Sequence, residues 1–183
     1  MNYKLVTAPT ALVVSVSDMK THLRVTVSTH DTLIQSYIEA ATQLIENRTG
    51  LALSPQTWRL SLAWDEVVEK VEISKYPILG FTSITYFDGD NASQSLTNSQ
   101  HDWVSFVDGR PGSLKFVDSL PTVYERDDAM RIQFIAGYSS IPKDLVLAIK
   151  QLVWRMYNHP DDPVTERFSF VDKIVRDYRL WQL

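Results

Sequence analysis

The sequence predicts an α+β protein: a helical core formed by N- and C-terminal helices, with a β-rich antiparallel insertion between them. Three observations carry this. Apolar residues recur with helical period from about residue 31 to 49 and again from about 143 to 158. Between about 51 and 136 the period switches to two. Proline, glycine and short polar stretches fall at the changes of period rather than inside the patterned runs.

Taken in order, "MNYKLVTAPTALVVSV" resembles a secretion signal in apolar content only. Thr7, Pro9 and Thr10 break it and Lys4 alone supplies positive charge, so it reads as a strand or an extended arm. "SDMKTHLRV" predicts a short helix with Ser17 as N-cap. "STHDTLIQSYIEAATQLIENRTG" predicts a longer one, capped by Thr29 or Asp31. Leu33, Ile34, Tyr37, Ile38, Ala41, Leu44 and Ile45 form its buried stripe, and Gly50 stands at the left-handed C′ position.

From Leu51 the pattern is that of strands. "QTWRLSL" alternates Trp58, Leu60 and Leu62 against Thr57, Arg59 and Ser61. "KVEI", "FTSITYF", "WVSFV", "SLKFV" and "MRIQFI" follow. "KYPILG" and "DGRPG" read as turns and "DGDNASQSLTNSQHD" as a polar hairpin tip. A meander of roughly six strands is expected, forming a small antiparallel sheet or barrel. The helical period returns in "IPKDLVLAIKQLVWRMYNHP". Here Pro142 occupies a first-turn position, and Leu145, Ile149, Leu152, Val153 and Met156 line one face. These boundaries divide one connected domain into residues 1–50 (arm and helices), 51–136 (insertion), 137–160 (core helix) and 161–183 (tail).

The composition bounds the function. The 183 residues are 44% hydrophobic and 22% charged, enough to bury a sizeable core. There is no cysteine, which removes disulfides, thiolate metal sites and thiol nucleophiles. No run reaches membrane-spanning length, so a soluble protein without membrane contact is expected. The formal net charge of −4 disfavours a protein that grips DNA through its phosphates, which needs clustered Lys and Arg. It is compatible with a surface that DNA slides past.

The search for chemistry finds little. His22, His30, His101 and His159 form no metal-ligand spacing, so no metal is expected; His159 reads as a favourable charge at a helix C-terminus. "DGDNAS" begins like a calcium loop through Asp88 and Asp90, but Ala92, Ser93 and Ser99 occupy positions where the loop needs a ligand, glycine and glutamate. Glycine-rich phosphate loops, the nucleophile elbow and dinucleotide fingerprints are all missing. Asp127–Asp128 and Asp161–Asp162 read as turn formers and surface charge. No catalytic residues and no cofactor are therefore expected.

Trp58, Trp64, Trp103 and Trp154 are read as core or subunit packing. The tail differs. Residues 166–183 carry a net charge of +1 against −5 for the rest, with Phe168, Phe170, Tyr178 and Trp181 among them. Such a segment either folds back onto its own domain or docks on a partner through Trp, Tyr and Arg anchors. The residues alone leave both open.

Several stretches in order resemble the head–tail connector proteins of long-tailed bacteriophages, also called adaptor or head-completion proteins. They are "KLVTAPTALVVSVSDMKTHLRV", "LIENRTGLALSPQTWRLSL", "YPILGFTSITYFDGD", "GRPGSLKF", "IQFIAGYSSIPKDLVLAIKQLVWRMYNHP" and "IVRDYRLW". The combination of "TGLALSPQTW", "FIAGY…IP" and the final "YR" is the most specific part.

The resemblance implies a structural virion protein, not an enzyme, at the head–tail junction and in the host cytoplasm during assembly. It implies a ring of roughly twelve copies beneath the portal protein, with a tail or stopper protein on the other side. Genome DNA would pass through without specific binding. A neck or tail-completion protein one level lower is the alternative. It also implies that the tail docks on the portal, with Phe168, Phe170, Tyr178, Arg179 and Trp181 as candidate anchors. Truncation after Asp161 is then expected to leave the domain folded and abolish attachment. Residues 134–160 become a structural joint, in which Gly137 permits the turn and Pro142 starts the helix that closes onto residues 31–49.

Overall fold

The computed structural model describes residues 1–97, 101–104, 112–117, 119–160 and 169–178. The chain divides into two compact units, one of Met1–Pro9 with Pro55–Ser139 and the other of Thr10–Ser54 with Ser140–Leu183.

The first unit is β. Its strands are β1 (Asn2–Thr7), β2 (Gln56–Leu62), β3 (Lys70–Ile73), β4 (Ile78–Phe87), β5 (Ser93–Ser95), β6 (His101–Val104), β7 (Gly112–Phe116) and β8 (Met130–Ala136). They form two sheets, in the orders β1-β2-β8-β4-β5 and β3-β7-β6, with every pairing antiparallel. The expected single meander is therefore corrected. β8 inserts between β2 and β4, although most of the unit separates it from β2 in sequence. Such long-range pairing is set by which apolar faces meet, not by local period.

The alternation itself holds well. Met130, Ile132, Phe134 and Ala136 on β8 are all buried, facing Leu60 and Leu62 of β2 and Ile84 of β4. Val71 and Ile73 of β3 pair with Leu114 and Gly112 of β7. The N-terminal stretch is a strand, paired along β2 with an irregularity between Leu5 and Thr7. The hairpin tip is shorter than expected, because chain reversal is complete within Asp88–Ala92. Asp88 accepts from the backbone N–H groups of Asp90 and Ala92 and from the Gln94 amide. The "DGRPG" turn lies largely outside the described residues.

The second unit holds the helices α1 (Val16–Leu23), α2 (Asp31–Thr49), α3 (Lys143–Asn158) and α4 (Ser169–Tyr178). α1 is capped by Ser15, whose Oγ accepts from the Asp18 N–H at 3.0 Å, not by Ser17. The helix thus starts two residues earlier than expected, and its Met19 is fully inside. A single 3₁₀ turn, Ser28–His30, precedes α2, so neither Thr29 nor Asp31 caps it; the Asp31 carboxylate instead takes the Lys20 ammonium at 2.7 Å.

Gly50 ends α2 at φ 80°, its N–H on the Glu46 carbonyl at 2.8 Å. The buried stripe of α2 is narrower than the sequence suggested. Ile34, Ile38, Ala41, Ile45 and Thr49 are inside, while Tyr37 and Leu44 are half-buried and Leu33 is exposed. Pro142 stands just before the first residue of α3, and Leu145, Ala148, Ile149, Leu152 and Val153 are buried along it. Met156 is half-buried. α3 packs directly on α2, as expected.

Candidate docking surfaces

The C-terminal helix joins the helical unit. Val171, Ile174 and Val175 are buried, the three inward positions of a short amphipathic helix, and α4 packs on both α2 and α3. Arg48 of α2 reaches the Asp172 carboxylate at 3.1 Å, and the Tyr178 hydroxyl donates to the Asp144 carboxylate of α3 at 3.0 Å. Of the two fates left open for the tail, residues 171–178 follow the first and fold back. The candidate anchor Tyr178 is thus partly engaged inside its own unit. Phe170 belongs to α4, with its side chain outside the described residues; Phe168, Arg179 and Trp181 also lie outside them.

The β unit contains one polar cluster that the sequence reading missed. Asp128, taken as a turn former, receives Arg126 Nε at 2.6 Å on one carboxylate oxygen and the Arg131 guanidinium on the other. Both guanidinium groups stack over the Phe87 ring, at 3.7 and 4.9 Å from its centre. Arg126 also donates to the Asn91 side chain at 2.9 Å. Burial is the largest single influence on the Asp128 carboxyl and pushes its pKa up. The hydrogen bonds and charges of Arg131 and Arg126 together outweigh it and hold the group below the usual carboxylate range. The missed signal was the spacing R-x-D-x-x-R after an aromatic strand end.

This arrangement is structural in character. It ties the start of β8 to the β4–β5 hairpin, with both Asp128 carboxylate oxygens taken by arginines. Burial raises the Tyr3 hydroxyl, which accepts from the Ser74 N–H at 2.9 Å. Among the described residues, no three His, Asp or Glu side chains converge as metal ligands would. Nor is any described helix long and apolar enough to cross a membrane.

Large aromatic groups do reach the surface. Trp64 is 49% exposed and Trp154 43%, so the core half of the sequence reading fails for both. Trp58 is half-buried beneath the Lys75 ammonium, 4.7 Å from its ring. The Trp103 side chain lies outside the described residues.

Residues 13–102 match the sequence model of the phage gp6-like head-tail connector protein family. Through this segment, a little under half of its length, the chain is similar to that family. That family is one of structural head–tail connector proteins of virions, not of enzymes.

The fold is also that of three solved chains. One comes from the neck of an empty gene transfer agent (GTA) particle with C6 symmetry, with a TM-score of 0.83 and 23% identity. A second is from the virion of a native GTA particle, at 0.82 and 22%. The third is from the neck of a native GTA particle with C12 symmetry, at 0.80 and 23%. Each likeness covers 100% of this chain and 97% of the other. No curated protein matches this chain.

Proposed function

We propose that this chain forms a ring of roughly twelve copies beneath the portal, joining the DNA-filled head to the tail and extending the DNA channel. The observation that carries the reading is the family match over residues 13–102, which spans α1, α2 and strands β2 to β5. The likeness over the whole chain to proteins of sixfold and twelvefold GTA necks supports a symmetric ring. The partners are the portal on one side and a tail or stopper protein on the other. The place of action is the head–tail junction of the virion, after assembly in the host cytoplasm.

The charge supports passage of DNA rather than capture. A net charge of −4 gives a duplex no electrostatic reason to stay, and counterion release is the main source of non-specific affinity. Genome DNA would therefore move past the ring without a specific site.

The tail reading becomes narrower. The segment from Arg179 onward, including Trp181, is the part assigned to portal docking, with Phe168 and Phe170 as further anchors. Residues 171–178 hold the helical unit together.

Cross-linked pull-down of the tagged chain from particle-producing cells tests the reading. Recovery of portal together with tail or stopper protein is expected. Recovery of tail components without portal would favour a neck or tail-completion position one level lower. Recovery of no capsid component would overturn both.

A further inference from the structure

The helical unit presents two helix surfaces that its own packing leaves uncovered. On α3, the side opposite the buried stripe carries Leu147, Gln151 and Trp154, all exposed, with Lys143 and half-buried Lys150 beside them. Leu147 and Trp154 are 40% and 43% exposed. Seven residues make about two helical turns, so the two side chains stand in one line as a ridge. Trp154 meets His159 edge-on, with ring centres 5.9 Å apart, which fixes one end of the ridge.

On α2, the side opposite its stripe carries exposed Ser36, Ala40, Gln43 and Asn47, with exposed Leu33 at one margin and Glu39 at the other. The small side chains at 36 and 40 let a bulky ridge approach closely. Glu39 accepts from the Gln35 amide at 2.9 Å and stands in no ion pair among the described residues. Because α2 and α3 pack directly on each other, their outer sides look away from one another on opposite flanks of the unit.

We propose that these two surfaces are the halves of one head-to-tail interface. The Leu147–Trp154 ridge of α3 lies on the outer side of α2 of the next copy. The proposal rests on the ring reading above and names the surface that would close it.

A second copy is the occupant favoured by three features. A heterologous ring needs two different patches on opposite flanks of one subunit, whereas a two-fold dimer needs only one self-complementary patch. The charges match, Lys143 and Lys150 on the ridge side against Glu39 on the receiving side. The sizes match too, a Trp–Leu ridge facing a strip of small and amide side chains. Tryptophan is also among the residues that most often carry the binding energy of an interface.

The test places a photo-reactive benzoylphenylalanine at Gln151 of the full chain, expressed in particle-producing cells. A covalent adduct between two copies, mapped to residues 32–47, is expected. Trp154→Glu should reduce that adduct at least about tenfold, as loss of one anchoring side chain does. Circular dichroism and the melting temperature should stay unchanged, since Trp154 is exposed. Lys150→Glu should also weaken the adduct, and adding Glu39→Lys should restore it. An adduct to portal or tail protein, a self-adduct mapping elsewhere, or indifference to Trp154→Glu while the unsubstituted chain still forms rings would overturn the surface and leave the ring reading standing. Finding no self-association in particles of the unsubstituted chain would overturn both.

Discussion

The hydroxyl of Tyr178, in the last turn of α4, donates to the carboxylate of Asp144, in the first turn of α3, over 3.0 Å. With the Arg48–Asp172 ion pair, this bond fastens both ends of α4 to its own unit. Within the C-terminal segment, residues 171–178 thus belong to the fold, and docking is proposed for the residues from Arg179 onward.

The division corrects the expected effect of a truncation after Asp161. That cut removes Val171, Ile174 and Val175 from the core and should destabilise the helical unit as well as abolish attachment. Ile174→Ala alone should cost about 2–4 kcal/mol, and Tyr178→Phe no more than about 1 kcal/mol. Urea unfolding of the two variants checks the order.

Removal of Arg179–Leu183 should do the opposite. The melting temperature should stay within a degree or two of the full chain's, the scale of a surface change of a few tenths of a kcal/mol, while recovery of portal in a pull-down is lost. Undiminished recovery of portal would contradict the tail assignment.

The sequence was most legible where local chemistry decides. Gly50 and Gly137 stand at φ 80° and 139°, where a side chain would be strained, and both were assigned as turns from sequence. The centres of the α2 and α3 stripes followed from period, but their margins did not: Leu33 is exposed and Tyr37, Leu44 and Met156 are half-buried. Ser15 and Ser17 are equally good caps by composition, and it is Ser15 whose Oγ accepts from the Asp18 N–H. Arg24 ends α1 in a left-handed conformation at φ 58°, with neither glycine nor asparagine to announce it. The pairing of β2 with β8 depends on contacts between distant residues, and so does the Asp128 cluster. The outer ridge of α3 was hidden for another reason: Trp154 scores as apolar whether it faces the core or a neighbouring subunit.

Gly137 offers a direct backbone test. Its N–H donates to the Pro77 carbonyl at 2.8 Å, holding the chain at the end of β8 in a conformation open to glycine. Gly137→Ala should destabilise by about 1–3 kcal/mol, read as a lower urea midpoint with unchanged slope.

Asp128 predicts a pH dependence. Its pKa lies lower folded than unfolded. Its contribution to stability is therefore complete above the unfolded carboxylate value and is lost as pH falls through the folded one. The parent chain should exceed Asp128→Asn in stability near neutrality, and the difference should shrink as pH is lowered below about 4. Unfolding midpoints across that range check the sign, and a gap that widens on acidification would contradict it.

The central claim is that this chain joins heads to tails. Electron microscopy of particles produced without it tests that most directly. DNA-filled heads should accumulate beside free tails, and supplying the chain in trans should restore joined particles. Normal tailed particles in its absence would contradict the account.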